Sequence, residues 1–415
     1  MSKTKPFIIS KHLVMEAFKL VKANQGGAGV DNQSIGEFER NLKDNLYKIW
    51  NRMSSGSYMP PEVKAVEIPK KSGGVRVLGI PTVSDRVAQM VVKLMLEPKI
   101  EPIFLNDSYG YRPNKSALDA VGIVRQRCWK SDWVLEFDIK GLFDNIDHKL
   151  LMKAVELHTD VQWVKLYIQR WLVAPMSING KSISRTQGTP QGGVISPLLA
   201  NLFLHYTFDV WMKRNHPYLQ WCRYADDGLV HCKSEAQAKY ILNQLTRRFK
   251  ECNLELHPIK TKIVYCKDGA RKGTYENTKF DFLGYTFQAR VVKNTKRNSM
   301  FINFTPAVSK SALKAMRAKT RKSNFRNQSN LTLQDISRLY NPVLRGWLQY
   351  YGKFYPSALY PVLRHFNQTL VAWARRKYKK LARHKTRAGQ FIENISKTQP
   401  NLFPHWQRGM IGAFA

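Results

Sequence analysis

Acidic residues are scarce in this chain. Its 415 residues hold 30 Asp and Glu against 67 Lys and Arg, a formal net charge of +37, which disfavours a basic partner and favours a polyanionic one. The shortage is sharpest toward the end: from Val291 to Ala415 there are 24 Lys and Arg but only two carboxylates, Asp335 and Glu393. Cysteine is sparse as well. Cys128, Cys222, Cys232, Cys252 and Cys266 form no Cys-x-x-Cys pair, which argues against a structural zinc or a disulfide framework and fits thiols of a reducing compartment. The stretch Met1 to Lys22 lacks the apolar core of a secretory leader, and no apolar run approaches the roughly 20 residues that cross a bilayer. Nucleic acid is therefore favoured over a membrane as the polyanion, and a cytoplasmic, nucleoid- or ribonucleoprotein-associated location is expected.

Hydrophobic residues, at 43%, are abundant enough for two or three packed domains. Val63–Pro69 and Val75–Ile80 alternate like strands around Lys70-Lys71-Ser72-Gly73-Gly74, so a hairpin with a basic tip is predicted. A helix is predicted from Val83 to Leu96, closed by Pro98. Trp133–Ile139 reads as a strand in which Asp138 sits among apolar neighbours, where a charge needs a partner. Thr186–Pro197 is a Gly/Pro-rich loop whose three glycines let a backbone approach a ligand, and it opens onto a helix from Leu198 to Trp211.

Beyond Thr305-Pro306, read as an N-cap and first helical residue, the chain is predicted to be almost wholly helical. Ile336, Leu339, Tyr340, Val343, Leu344, Trp347, Leu348 and Tyr351 form a helical core stripe, with a kink expected at Pro342. In the next helix Phe366, Leu370, Trp373 and Leu381 line one side, while Arg375, Arg376, Lys379, Lys380 and Arg383 present cations on the others. The fold class is α+β with a helical C-terminal part.

Chemistry concentrates in Arg223-Tyr224-Ala225-Asp226-Asp227-Gly228, two adjacent carboxylates between short strand-like runs. The expected form is a β-hairpin with Asp-Gly in its turn. Alone, that run is also what a solvated turn looks like. Asp138 changes the balance, because two neighbouring strands could bring three carboxylates together, as needed to hold two Mg²⁺ roughly 3.5–4 Å apart for nucleotidyl transfer. Lys70, Lys71 and Arg76 could clamp a triphosphate.

In order along the chain, Lys22-Ala23-Asn24-Gln25-Gly26 through Asp31, Ile68-Pro69-Lys70 through Arg76-Val77-Leu78-Gly79-Ile80-Pro81, Tyr109-Gly110-Tyr111-Arg112-Pro113, Phe137-Asp138-Ile139-Lys140-Gly141-Leu142-Phe143, Thr189-Pro190-Gln191-Gly192-Gly193, Tyr224-Ala225-Asp226-Asp227, Phe282-Leu283-Gly284-Tyr285 and Asn341-Pro342 through Arg345-Gly346-Trp347 resemble the blocks of group II intron-encoded reverse transcriptases and maturases. Eight blocks in order are specific where one is not. The resemblance implies a right-hand polymerase, with fingers and an antiparallel palm, followed by an all-α thumb or maturase domain. It divides the chain into a 1–35 extension, fingers and palm at 36–298, thumb at 299–385 and a basic tail at 386–415.

It also implies roles. Asp138, Asp226 and Asp227, with the backbone carbonyl of Ile139, would hold two Mg²⁺; Lys70 and Arg76 would grip the incoming dNTP. Phe143, by itself a plausible core aromatic, would exclude a 2′-OH. Gln191 would touch nucleotide or template. Lys260 would protonate the leaving pyrophosphate, with Lys262 near enough to compete for that role. Arg112, Arg345, Arg375, Arg376, Lys379 and Lys380 would contact nucleic acid. Partners implied are group II intron RNA, an RNA template with a DNA or RNA primer, and target DNA; a homodimer is compatible and a membrane is not. The His/Cys nuclease domain of DNA-cutting members is expected to be lacking, and the tail could be a reduced DNA-binding segment or a packed cap. Retrohoming and splicing assistance are implied for an intron-encoded member; a domesticated enzyme of DNA repair or phage defence, and a splicing-only maturase, are the alternatives.

Overall fold

The computed structural model describes residues 5–69, 73–294 and 297–411. Lys70 and Lys71 therefore lie outside the described residues. The strands are Val63–Pro69 (β1), Val75–Ile80 (β2), Trp133–Asp138 (β3), Met176–Ile178 (β4), Lys181–Ile183 (β5), Gln220–Tyr224 (β6), Asp227–Cys232 (β7), Lys262–Tyr265 (β8), Lys279–Phe282 (β9), Tyr285–Asn294 (β10) and Ser299–Val308 (β11). They form three sheets, ordered β2-β1-β4-β5, β6-β7-β3-β8 and β11-β10-β9. The chain divides into two compact units, one of residues 1–120 and 135–263, the other of residues 121–134 and 264–415.

In the first unit β1 and β2 pair antiparallel from Lys64 with Ile80 to Pro69 with Val75, the hairpin the alternation predicts. The strand order sets β7 directly beside β3, which puts the two carboxylate-bearing segments on neighbouring strands. Beneath them Phe137, Phe208 and Phe249 pack ring on ring, with centroids 5.0 Å apart for Phe137–Phe208 and 5.9 Å for Phe137–Phe249.

Three local expectations are corrected. The hairpin turn is Ala225-Asp226, not Asp-Gly: Tyr224 pairs with Asp227 and Gly228 pairs with Arg223 inside the ladder. Gly228 belongs there because a Cβ would fall into the Phe137 ring. The helix from Val83 runs through Pro98 to Ile100, because buried Leu96 and Ile100 anchor its last turn. Thr305 and Pro306 lie in β11, and the helix starts at Lys310 with Ser309 as N-cap, its hydroxyl accepting from the Ala312 N–H. β11 is an edge strand, where proline removes no ladder bond that matters.

The second unit is largely helical, with Pro342 inside the helix Leu333–Tyr351. Its core gathers Phe325, Ile336, Leu344, Leu348, Phe366, Leu370, Trp373, Phe403 and Trp406. The segment around Phe403 thus packs as a cap on its own unit. Buried His405 donates through Nε2 to Asn367 Oδ1 at 2.7 Å, and Trp406 Nε1 donates to the same oxygen at 3.1 Å.

Burial pushes the His405 imidazole down to about 3. Because the folded value lies below the ordinary one of about 6.5, the unfolded chain binds the proton first as pH falls. Stability from this residue is complete above pH ~6.5 and drains as pH drops toward 3, by about 2 kcal/mol between neutrality and pH 5. Denaturant titration of the full chain at pH 7 and pH 5 should show this loss, and His405→Gln should shrink it.

Candidate active site

Backbone pairing brings the acidic segments together: the Ile139 N–H donates to the Asp226 carbonyl at 3.3 Å, and the His257 N–H to the Asp138 carbonyl at 2.7 Å. The second bond carries the 257–260 segment to the same place. There Lys260 Nζ donates to Asp138 Oδ2 at 2.9 Å. Lys260 rather than Lys262 thus meets the carboxylates, since Lys262 opens β8 as an exposed residue.

Electrostatics at this point are costly. Asp138 is 8% exposed. Burial raises the Asp227 carboxyl to about 8, helped by the neighbouring Asp226 charge and a hydrogen bond with Asp138. Burial, then the Asp138 charge, also raises Asp226, while Arg76 and Lys260 oppose the shift. Carboxylates this close and this dry need a shared proton or a cation. Lys260 supplies one positive charge, and a divalent ion suits the rest.

Among the described residues no three His, Cys, Asp or Glu side chains form a ready group for a metal ion. Asp138 is turned to Lys260 and Asp227 instead. The donor set nevertheless fits a hard cation, being all carboxylate oxygen, buried at Asp138 and half-buried at Asp226 and Asp227, and short of positive charge.

Around the carboxylates stand the other predicted contacts. Arg76 Nε donates to Gln191 Oε1. The Gly79 N–H donates to the Gln191 carbonyl at 2.8 Å, and Gly192, at φ +123°, has no room for a Cβ, which would lie 2.5 Å from the Gly79 carbonyl oxygen. Phe143 is buried, and its carbonyl accepts from the Thr189 N–H at 2.7 Å. Phe143 and Gln191, with Val77, Met176, Ile183 and Pro190, line an open cavity of about 350 Å³.

Arg112 is placed differently from the expectation. Its guanidinium is turned inward to Glu101 and to the carbonyls of Leu105 and Ser108, and its side chain is only 6% exposed, so it braces the chain. Arg345, Arg376, Lys379 and Lys380 are exposed. Arg375 is half-buried and donates to the Ala382 carbonyl at 3.1 and 3.2 Å.

A reverse transcriptase (RNA-dependent DNA polymerase) family model matches residues 68–287, just over half of the chain, and a group II intron maturase-specific domain model matches residues 313–389. The chain belongs to the group II intron reverse transcriptases. It is similar to the group II intron-encoded protein LtrA of Lactococcus lactis subsp. cremoris, 26% identical over 83% of this chain and 69% of that protein. It is also similar to protein YkfC of Escherichia coli (strain K12), 30% identical over 61% of this chain and 77% of that protein. A solved structure of telomerase from Candida albicans aligns with 91% of this chain and 68% of that one at 12% identity and a TM-score of 0.46.

As a reverse transcriptase the chain is an RNA-directed DNA polymerase that depends on divalent metal. Its α+β fold and helical C-terminal part are those the sequence motifs imply. None of the described helices is long and apolar enough to cross a membrane.

Sequence reading passed over the residues that hold this polymerase's Gln191 loop. Gln89 Oε1 accepts from the Val194 and Ile195 N–H groups at 2.8 and 3.3 Å, and its Nε2 donates to Asp85 Oδ2 at 2.9 Å. Tyr58 and Trp171 donate to Asp85 Oδ1 at 2.9 and 2.7 Å. Arg86, between them, donates to the carbonyls of Gln25 and Gly27 at 3.1 and 2.8 Å and so pins the N-terminal glycine loop. The available signal was three polar residues, Asp85, Arg86 and Gln89, on a helix whose other early positions are mostly apolar. Tyr111 was passed over too: its half-exposed side chain is partly desolvated beside Asp226 and Asp227, and this together with their charges raises its hydroxyl above its ordinary value.

Proposed function

We propose that this reverse transcriptase copies RNA into DNA by two-metal nucleotidyl transfer at Asp138, Asp226 and Asp227, and that its helical unit binds group II intron RNA to assist splicing and retrohoming. The observation that carries the first part is the clustering of three carboxylates on neighbouring strands, short of positive charge and flanked by Lys260 and Arg76. The carboxylates, with the Ile139 carbonyl, would hold two Mg²⁺, which when bound polarise the attacking and leaving oxygens.

The chain's own residues do the rest. Arg76, braced by Gln191, offers its planar fork to the triphosphate. Lys260 is an ammonium with a proton to give where pyrophosphate departs, as the primer 3′-oxygen bonds the α-phosphorus and the α–β bridging bond breaks. Gln191 faces the nucleotide or template from a loop fixed at both edges. Primer extension with purified protein, an RNA template, a DNA primer, dNTPs and Mg²⁺ tests the reading: cDNA is expected, and none without divalent ion.

Exposed cations of the helical unit support the RNA-binding part, beside the maturase-domain match. With six or more phosphate contacts, affinity for RNA should fall about 10³-fold between about 50 and 200 mM salt. Replacing Arg376, Lys379 and Lys380 with Gln should flatten that log–log dependence by about one unit per cation that touches phosphate. Filter binding across salt concentrations measures both. A salt-independent affinity would remove the electrostatic basis for this part.

A further inference from the structure

The hairpin that carries Asp226 and Asp227 is held from behind by one guanidinium with no solvent exposure, that of Arg223. Its Nε and Nη2 donate to Asp209 Oδ1 and Oδ2 at 2.8 and 2.7 Å, a two-pronged pair. Nη2 also donates to Ser108 Oγ at 2.8 Å, and Nη1 to Asn201 Oδ1 at 3.2 Å and to the Ala225 carbonyl at 3.1 Å. Asp209 reaches this position at the end of a π-helical turn, His205–Asp209, set in the helix that starts at Ser196. Such a turn inserts a residue and rotates the helix beyond it, and it recurs at functional sites.

Two further contacts tie the same turn down. Asn201 Nδ2 donates to the Gly110 carbonyl at 2.6 Å. A Cβ on Gly110 would lie 2.5 Å from the Ala225 nitrogen, so only glycine lets that segment press on the turn.

Stability is a poor explanation for this arrangement. A buried ion pair can often be exchanged for apolar residues of similar size without loss of fold. Apolar residues cannot donate to the Ala225 carbonyl, however. Ala225 is a non-glycine residue at φ +55°, an unfavourable backbone immediately before Asp226. Asp226 completes the turn it opens and Asp227 begins the strand that follows, and the donor from Arg223 opposes rearrangement of that turn.

We propose that Arg223, oriented by Asp209, Asn201 and Ser108, is a positioning residue that locks the Ala225-Asp226 turn, and thereby sets divalent-ion affinity and kcat without setting dNTP affinity. This rests on the two-metal reading of the carboxylate site. Arg223 touches no substrate; it acts through the Ala225 backbone.

The test is the paired variant Arg223→Met with Asp209→Leu, which removes the ion pair and fills its space. Three quantities are read: the melting temperature with and without Mg²⁺, the Mg²⁺ midpoint of primer extension, and kcat and KM for dTTP on an RNA template. Expected are a folded protein, a kcat lowered about 10- to 100-fold as for a misplaced catalytic group, a Mg²⁺ midpoint raised several-fold, a smaller rise in melting temperature on adding Mg²⁺, and a KM within about twofold of wild type. Folded protein with wild-type kcat and Mg²⁺ dependence overturns the proposal. If the pair unfolds, Ser108→Ala and Arg223→Lys take its place. A raised Mg²⁺ midpoint, larger for Arg223→Lys, supports the proposal, and wild-type behaviour of both overturns it. Wild-type protein whose extension ignores divalent ion overturns the two-metal reading itself, and this inference with it.

Discussion

Asp226→Asn should lower primer extension about 10³-fold or more while leaving RNA binding and the melting temperature intact. The loss reflects the task assigned to the carboxylate. Charge stabilisation by a bound metal is worth several kcal/mol in the transition state, and about 4 kcal/mol corresponds to a thousandfold. The expected tolerance of the fold comes from electrostatics in the metal-free protein. Burial and the Asp138 charge disfavour ionised Asp226, and its charge in turn disfavours ionised Asp227. A neutral amide of the same shape removes both costs, so the variant should melt at the wild-type temperature or a few degrees above it. Wild-type and variant are compared by single-nucleotide extension in Mg²⁺ and by a thermal melt without it. Equal extension rates would end the assignment of Asp226 to metal; a sharp drop in melting temperature would instead mark it as a structural residue.

The pieces of this site that sequence revealed were those whose signal is local. The residue alternation of β1 and β2 marks a hairpin that the pairing bears out, while the strand holding Asp138 and those on either side of Asp226-Asp227 are buried almost throughout and so read as short apolar runs bounded by turn signals. The turn was misplaced because Asp-Gly is the ordinary hairpin turn, whereas here Gly228 is required by the Phe137 ring, a contact between residues far apart in sequence. Pro306 misled for a similar reason: an edge strand tolerates it, and edge status is a property of the sheet. Arg223, Asp209, Gln89 and Asp85 were not legible. A buried polar residue has no periodic signature, and its meaning lies in partners such as Asn201 and Val194 that only the fold brings near. Arg112 shows the converse, since a cation in a motif carries no local sign that Glu101 is its partner in the fold.

Phe143→Val should relax discrimination against ribonucleotides by about 10²-fold, the scale on which a pocket wall distinguishes substrates by size. The ring is well placed to act as such a wall. Phe143 is 6% exposed, yet it borders the cavity shared with Gln191 and Val77. It is also prevented from retreating. Its carbonyl accepts from the Thr189 N–H, and Gly188, at φ +78°, packs so closely that a Cβ there would meet the Phe143 carbonyl at 2.7 Å. A rigid ring excludes a 2′-OH by overlap, and a smaller side chain on the same backbone leaves space for it. Valine keeps part of the buried surface, so the fold should survive, where alanine risks the about 3–5 kcal/mol typical of Phe→Ala in a core. The readout is the ratio of kcat/KM for rUTP to that for dTTP on one RNA template. Gly188→Ala serves as the control, because it strains the loop behind the ring and should slow both nucleotides without changing their ratio. If Phe143→Val is folded and active with an unaltered ratio, Phe143 is a core aromatic, and sugar choice is made elsewhere in the cavity.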